Sequence, residues 1–129
     1  MTVHERPTVL LVEDDRATRE MYDYALRLAD YSVLQASDGL AALRLLDQHL
    51  PAAIVLDLDL PQLSGMDVQR EVMSHAETRS IPIVVVTGTD LKPAGVFQIL
   101  RKPVTPEVLV AAVDRALMPP LSAPKGAVR

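Results

Sequence analysis

The chain has 129 residues, 49% of them hydrophobic and 23% charged, which fits one domain able to bury a core; with 3% aromatic residues, that core must be aliphatic. A formal charge of −4 gives no basic footprint for direct nucleic-acid binding, and a cysteine count of zero excludes a disulfide framework and thiolate zinc chemistry. No basic stretch followed by a long apolar one opens the sequence and no apolar run approaches membrane-spanning length, so a soluble cytoplasmic protein without membrane attachment is expected.

Short runs rich in Val, Ile and Leu, bounded by polar or turn residues, predict strands at Thr8 to Val12, Tyr31 to Ala36, Ala52 to Leu56, Ile81 to Val86 and Val96 to Leu100. Between them, Arg16 to Ala29 reads as a helix with Met21, Tyr24, Ala25 and Leu28 on one face. Gly39 to Gln48 reads as a second helix anchored by Leu43 and Leu46, and Gly65 to Ser74 as a third. The last helix starts with Thr105 as N-cap and Pro106 at its first position, and turns Leu109, Ala112, Val113 and Ala116 inward. Strands alternating with helices imply an α/β fold with a parallel sheet and right-handed crossovers. Residues 1–118 are expected to form the domain. After Leu117 the prolines and small residues of positions 119–129 cannot continue a helix, and a disordered tail or linker is expected there.

Chemistry concentrates at strand ends. Asp57 closes an apolar run with a carboxylate, and ligands of open α/β sheets gather outside the carboxyl ends of the strands, so the charge reads as serving a site. Glu13-Asp14-Asp15 follows the first strand. Helix capping accounts for one or two of these acids, but three together repel one another and, beside Asp57, would be relieved by a hard divalent cation such as Mg²⁺. Crowded carboxylates of this kind should titrate high without the cation. Thr87 ends the fourth strand with a hydroxyl, and Lys102 follows the fifth strand just before Pro103. Taken alone, Thr87 is an ordinary turn residue and Lys102 an ordinary solvated charge; together with the acids they converge on one rim, where an ammonium can pair with a carboxylate or phosphate. Gly88 reads equally as a close phosphate contact or a turn glycine. Asp38-Gly39 reads as a turn before the second helix, and His4, His49 and His75, without metal spacing, as surface residues.

The stretches Val9 to Asp15, Ala36 to Gly39, Val55 to Pro61 with Ser64-Gly65, Ile81 to Thr87 and Lys102-Pro103 resemble, in order, the motifs of response regulator receiver domains of two-component signalling systems. The resemblance spans roughly residues 8 to 118. It implies a flavodoxin-like, doubly wound, five-stranded parallel sheet. It further implies that Asp57 is the phosphoacceptor and that Glu13, Asp14, Asp57 and the Asp59 carbonyl serve Mg²⁺. Thr87, Gly88 and Lys102 would contact the phosphoryl group, and Lys102-Pro103 would be a cis peptide. The implied partners are a histidine kinase or phosphotransfer protein, which donates the phosphoryl group, and a downstream protein or second copy, whose contacts change. Such a protein is a switch and not a metabolic enzyme.

Two departures from the family pattern stand out. Gly88 to Gly95 offers eight residues where a parallel crossover takes a dozen or more, and Pro93 and Gly95 oppose a helix. The family's fourth helix is therefore expected to be missing or reduced, leaving apolar side chains of strands four and five, and Leu91, facing water. Three residues before Lys102, the family's aromatic switch position holds Ile99. These departures favour a pseudo-receiver that binds without phosphorylation, whereas the complete set Glu13, Asp14, Asp57, Thr87 and Lys102 opposes it. Asp57-Leu58-Asp59 also resembles the acid pair of haloacid-dehalogenase-like phosphatases, but the chain lacks room for a cap domain.

Overall fold

A computed structural model describes residues 5–61 and 63–118; His4 and the 119–129 segment lie outside that range. Within it, the elements follow in the order β1 (Thr8–Val12), α1 (Arg16–Leu28), β2 (Ser32–Ala36), α2 (Gly39–Leu46), β3 (Ala53–Asp57), α3 (Gly65–Ser74), β4 (Ile83–Thr87), β5 (Gln98–Arg101) and α4 (Pro106–Leu117). All five strands are parallel in one sheet of order β2-β1-β3-β4-β5, the flavodoxin-like arrangement. No helix among the described residues is long and apolar enough to cross a membrane.

Each helix begins where a side chain accepts from its free amides: Asp15 for α1, Asp38 for α2, Ser64 in a reciprocal capping box with Asp67 for α3, and Thr105 for α4. Alternation along the strands divides the core in two. Val9, Leu11, Val55, Val84, Val86 and Leu100 meet Tyr22 and Leu26 of α1 and Leu109, Ala112 and Val113 of α4. On the other face, Leu10, Val12, Ile54, Leu56, Ile83 and Val85 meet Ala42 of α2 and Val68 and Val72 of α3. Because helices cover both faces, β3 and β4 are buried along their whole length.

Two sequence expectations need correction. Helix α1 turns Tyr22 and Leu26 inward, with Ala25 part-buried between them, while Met21, Tyr24 and Leu28 are exposed at 44%, 67% and 68%. The predicted face was one residue out of phase at its main positions. The flank beside β4 is also covered. No helix joins β4 to β5, as the spacing required, but the connecting residues pack back onto α3: Pro93 is buried, and Gln69 Nε2 donates to the Ala94 carbonyl at 2.6 Å. Gly95, with φ of 78°, lies so close to Met73 that an added Cβ would approach its Cε to 2.9 Å. Ile83 and Val85 are consequently fully buried and Val96 and Ile99 are part-buried, while of the apolar side chains expected to face water there Leu91 and Phe97 do so, at 50% and 46%.

Candidate functional site

Register builds the site. Val12 pairs with Leu56, Asp57 with Val86, and Thr87 with Arg101, so Glu13, Asp57, Thr87 and Lys102 form a staircase across the carboxyl edge of four adjacent strands. The crossover after β1 carries α1 to one face and that after β3 carries α3 to the other. A crevice therefore opens between β1 and β3, at the topological switch point.

Asp57 is the last residue of β3 and only 1% exposed, a position that a carboxylate occupies at great cost unless it is paired. Its Oδ1 accepts from the Asp59 amide at 2.8 Å, and its Oδ2 accepts from Lys102 Nζ at 3.1 Å. Gly65 makes room behind it: a Cβ there would come within 2.5 Å of the Asp57 carbonyl and the Leu58 Cα, so only glycine lets α3 start this close. Glu13, 3% exposed, accepts from the Asp15 amide at 3.0 Å. Burial pushes its carboxyl up to about 7, against the Asp15 hydrogen bond, with the Asp57 charge adding to the rise. Asp14 is exposed. Carboxylate oxygens of Glu13, Asp14 and Asp57 lie within 4.8 Å of one another. An all-oxygen set of this density, gathered at one strand edge, fits a hard divalent cation. Asp15 stands apart, with Oδ2 accepting from the Thr18 amide and hydroxyl at 2.9 and 2.6 Å; those bonds hold its carboxyl below the usual range.

Burial opposes the Lys102 charge, but the hydrogen bond and charge of Asp57, followed by the charges of Glu13 and Asp59, outweigh it and hold the ammonium above its usual value. The peptide bond between Lys102 and Pro103 is cis. Asp59 Oδ2 is 3.8 Å from Lys102 Nζ and accepts from the Gly88 amide at 3.5 Å. Thr87 is fully buried, and its hydroxyl is engaged by the Thr89 amide at 3.0 Å and the Thr89 hydroxyl at 2.8 Å rather than by Asp57. Asp38 caps α2, and His75, just past the end of α3, pairs with the exposed Glu71, so neither joins the crevice.

Sequence reasoning missed three contributors. Arg19 Nη1 donates to the Glu13 carbonyl at 2.8 Å, Thr89 holds Thr87, and Tyr22 donates to the Val104 carbonyl at 2.8 Å beside the crevice. Only Thr89, a second hydroxyl two residues after Thr87, left a local signal in the sequence.

A family model for the response regulator receiver domain matches residues 9–114. The chain belongs to that family. It is 38% identical to the response regulator MprA of Mycobacterium sp. (strain KMS), the match covering 85% of this chain and 50% of that protein. Thus the chain spans about half the length of the curated relatives it matches. The structure superposes on the chemotaxis response regulator CheY4 of Vibrio cholerae with a TM-score of 0.81 at 28% identity, covering 87% of this chain and 99% of that one. It also superposes on the receiver domain of the sensor histidine kinase PA1611 of Pseudomonas aeruginosa, with a TM-score of 0.80, 28% identity and 87% and 98% coverage. That receiver domain holds a magnesium ion in its active-site cleft. As a receiver domain, this chain is a module of phosphorylation-based signalling.

Proposed function

We propose that Asp57 is the phosphoacceptor of this receiver domain, taking its phosphoryl group from a histidine kinase or phosphotransfer protein. The observation that carries the reading is the buried Asp57 carboxylate with Lys102 Nζ at 3.1 Å and the Glu13 and Asp14 carboxylates beside it. In the transfer, an Asp57 oxygen attacks phosphorus, an O–P bond forms, and the donor's P–N bond breaks with its electron pair leaving on the imidazole. Hydrolysis of the acyl phosphate by water then returns the carboxylate and inorganic phosphate, so the domain resets itself without acting on other substrates.

The remaining residues orient and neutralise, which is most of what phosphoryl transfer asks of a protein. Mg²⁺ would be held by Asp14, Asp57, the Asp59 carbonyl and water, with Glu13 acting through water, and when bound it supplies positive charge against the phosphoryl oxygens. Lys102 supplies the second positive charge. The Gly88 amide and Thr87 hydroxyl donate to the new oxygens. In doing so Thr87 turns from the Thr89 amide and hydroxyl that now contact its oxygen toward the phosphate. That exchange disturbs the first turn of the β4–β5 connection, whose far end rests on α3 through Gln69. The connection, rather than Ile99, is therefore the proposed reporter to a downstream protein or second copy.

Incubation with Mg²⁺ and a small acyl phosphate, followed by intact-mass measurement, tests the assignment. One phosphoryl group should be incorporated, and none in Asp57→Asn or without Mg²⁺. Equal incorporation in Asp57→Asn refutes it; no incorporation in the wild type leaves the pseudo-receiver reading in its place.

A further inference from the structure

Tyr22 is buried at 4% exposure in the middle of α1, yet its hydroxyl reaches a backbone carbonyl 82 residues away, donating to Val104 at 2.8 Å. The ring lines the same cleft as Glu13, Asp14, Lys102 and Pro103. The Val104 carbonyl it satisfies lies two residues beyond Lys102, and Val104 is itself buried at 8%. On the other side, the Lys102 amide donates to the Thr87 carbonyl at 2.8 Å. The Lys102 backbone is thus pinned before by β4 and after by α1.

We infer that Tyr22 is a positioning residue for Lys102: its hydrogen bond to the Val104 carbonyl fixes the segment from which the ammonium reaches Asp57. Lysine is a point charge on a flexible four-carbon stem, so the place of its nitrogen depends on how firmly its backbone is held. Without the hydroxyl the Val104 carbonyl is left buried with that donor gone, and a segment with an orphaned acceptor shifts to find another partner. Such a shift acts on the charge that meets the phosphoryl oxygens and leaves the Glu13, Asp14 and Asp57 carboxylates in place. The kinetic part of the inference rests on the reading of Asp57 given above; the placement of Lys102 does not.

The test uses Tyr22→Phe in the full chain, with Tyr31→Phe as a control. Tyr31 also loses a phenol hydrogen bond, to Asp114, on the same face of the sheet but away from Lys102. With Mg²⁺ and a small acyl phosphate, Tyr22→Phe should slow incorporation about three- to tenfold, as expected for one buried hydrogen bond acting through a charge, and Tyr31→Phe should not. In a Lys102→Ala background Tyr22→Phe should cause no further slowing, because residues that act through one another are not additive. In Mg²⁺-free protein the Lys102 side-chain ammonium resonance should move in Tyr22→Phe and stay in Tyr31→Phe. An unmoved Lys102 resonance, or the same slowing with and without Lys102, overturns the inference. Should the wild type incorporate nothing, the reading of Asp57 fails, and the ammonium resonance alone decides the role of Tyr22.

Discussion

Glu13, Asp14 and Asp15 are three consecutive acids with three different fates. Asp15 caps α1, Asp14 reaches the crevice from solvent, and Glu13 is buried with its carboxyl raised from 4.5 to about 7. Asp14→Ala should therefore weaken Mg²⁺ affinity and phosphorylation together, whereas Asp15→Ala should chiefly loosen the helix start; titration calorimetry beside thermal melts separates the two. A group that binds its proton more tightly when folded stabilises the fold fully below its unfolded value and loses that contribution as pH rises through its folded value. The metal-free protein should accordingly lose up to about 3 kcal/mol between pH 4.5 and 7 from Glu13, a loss that Glu13→Gln removes and Mg²⁺ opposes. Denaturant melts over that range, with and without Mg²⁺, check the sign. That the candidate residues share one rim was legible in the sequence, because each sits at a strand end, where a polar side chain has no core role. Tyr22 was not, since an aromatic on a helix reads as packing and its distant carbonyl partner leaves no trace in the local pattern.

At the level of elements, strand runs and caps were readable, and phase and coverage were not. Met21, Tyr24 and Leu28 repeat at helical spacing as well as Tyr22 and Leu26 do; what chooses between them is the helix start at Asp15 and the Val104 carbonyl waiting for a hydroxyl. The short β4–β5 connection was correctly expected to lack a helix. Its packing was not foreseen, because Gln69 reads as a surface residue of α3 until Ala94 is placed above it. Gln69→Ala should destabilise the protein by about 0.5–1.5 kcal/mol, the cost of losing one part-buried hydrogen bond to an exposed residue's carbonyl. Gly95→Ala should cost about 1 kcal/mol or more, because its φ of 78° favours glycine over alanine and Met73 must give way. Urea titrations check both. Gln69→Ala should also raise hydrogen exchange from Leu91 to Gly95 more than in α4.

For the whole molecule, the strand order brings these parts together. Placing β3 between β1 and β4 sets the acids beside Asp57 and Thr87, and sending α1 and α3 to opposite faces opens the crevice above them. The α/β class and parallel sheet followed from the alternation of elements and the shared rim from the polar residues at strand ends, while the crevice and the residue-level route from it to the β4–β5 connection required the folded chain. Central to the account is that phosphorylation of Asp57 draws Thr87 away from Thr89 and is felt along that connection. Backbone amide resonances recorded before and after adding Mg²⁺ and a small acyl phosphate test this most directly. The account predicts large shifts at Thr87, Gly88 and Thr89 that extend to Ala94 and Gly95 and are absent in Asp57→Asn. Shifts that persist in Asp57→Asn, or a phosphorylated protein whose resonances from Gly88 to Gly95 do not move, would contradict it.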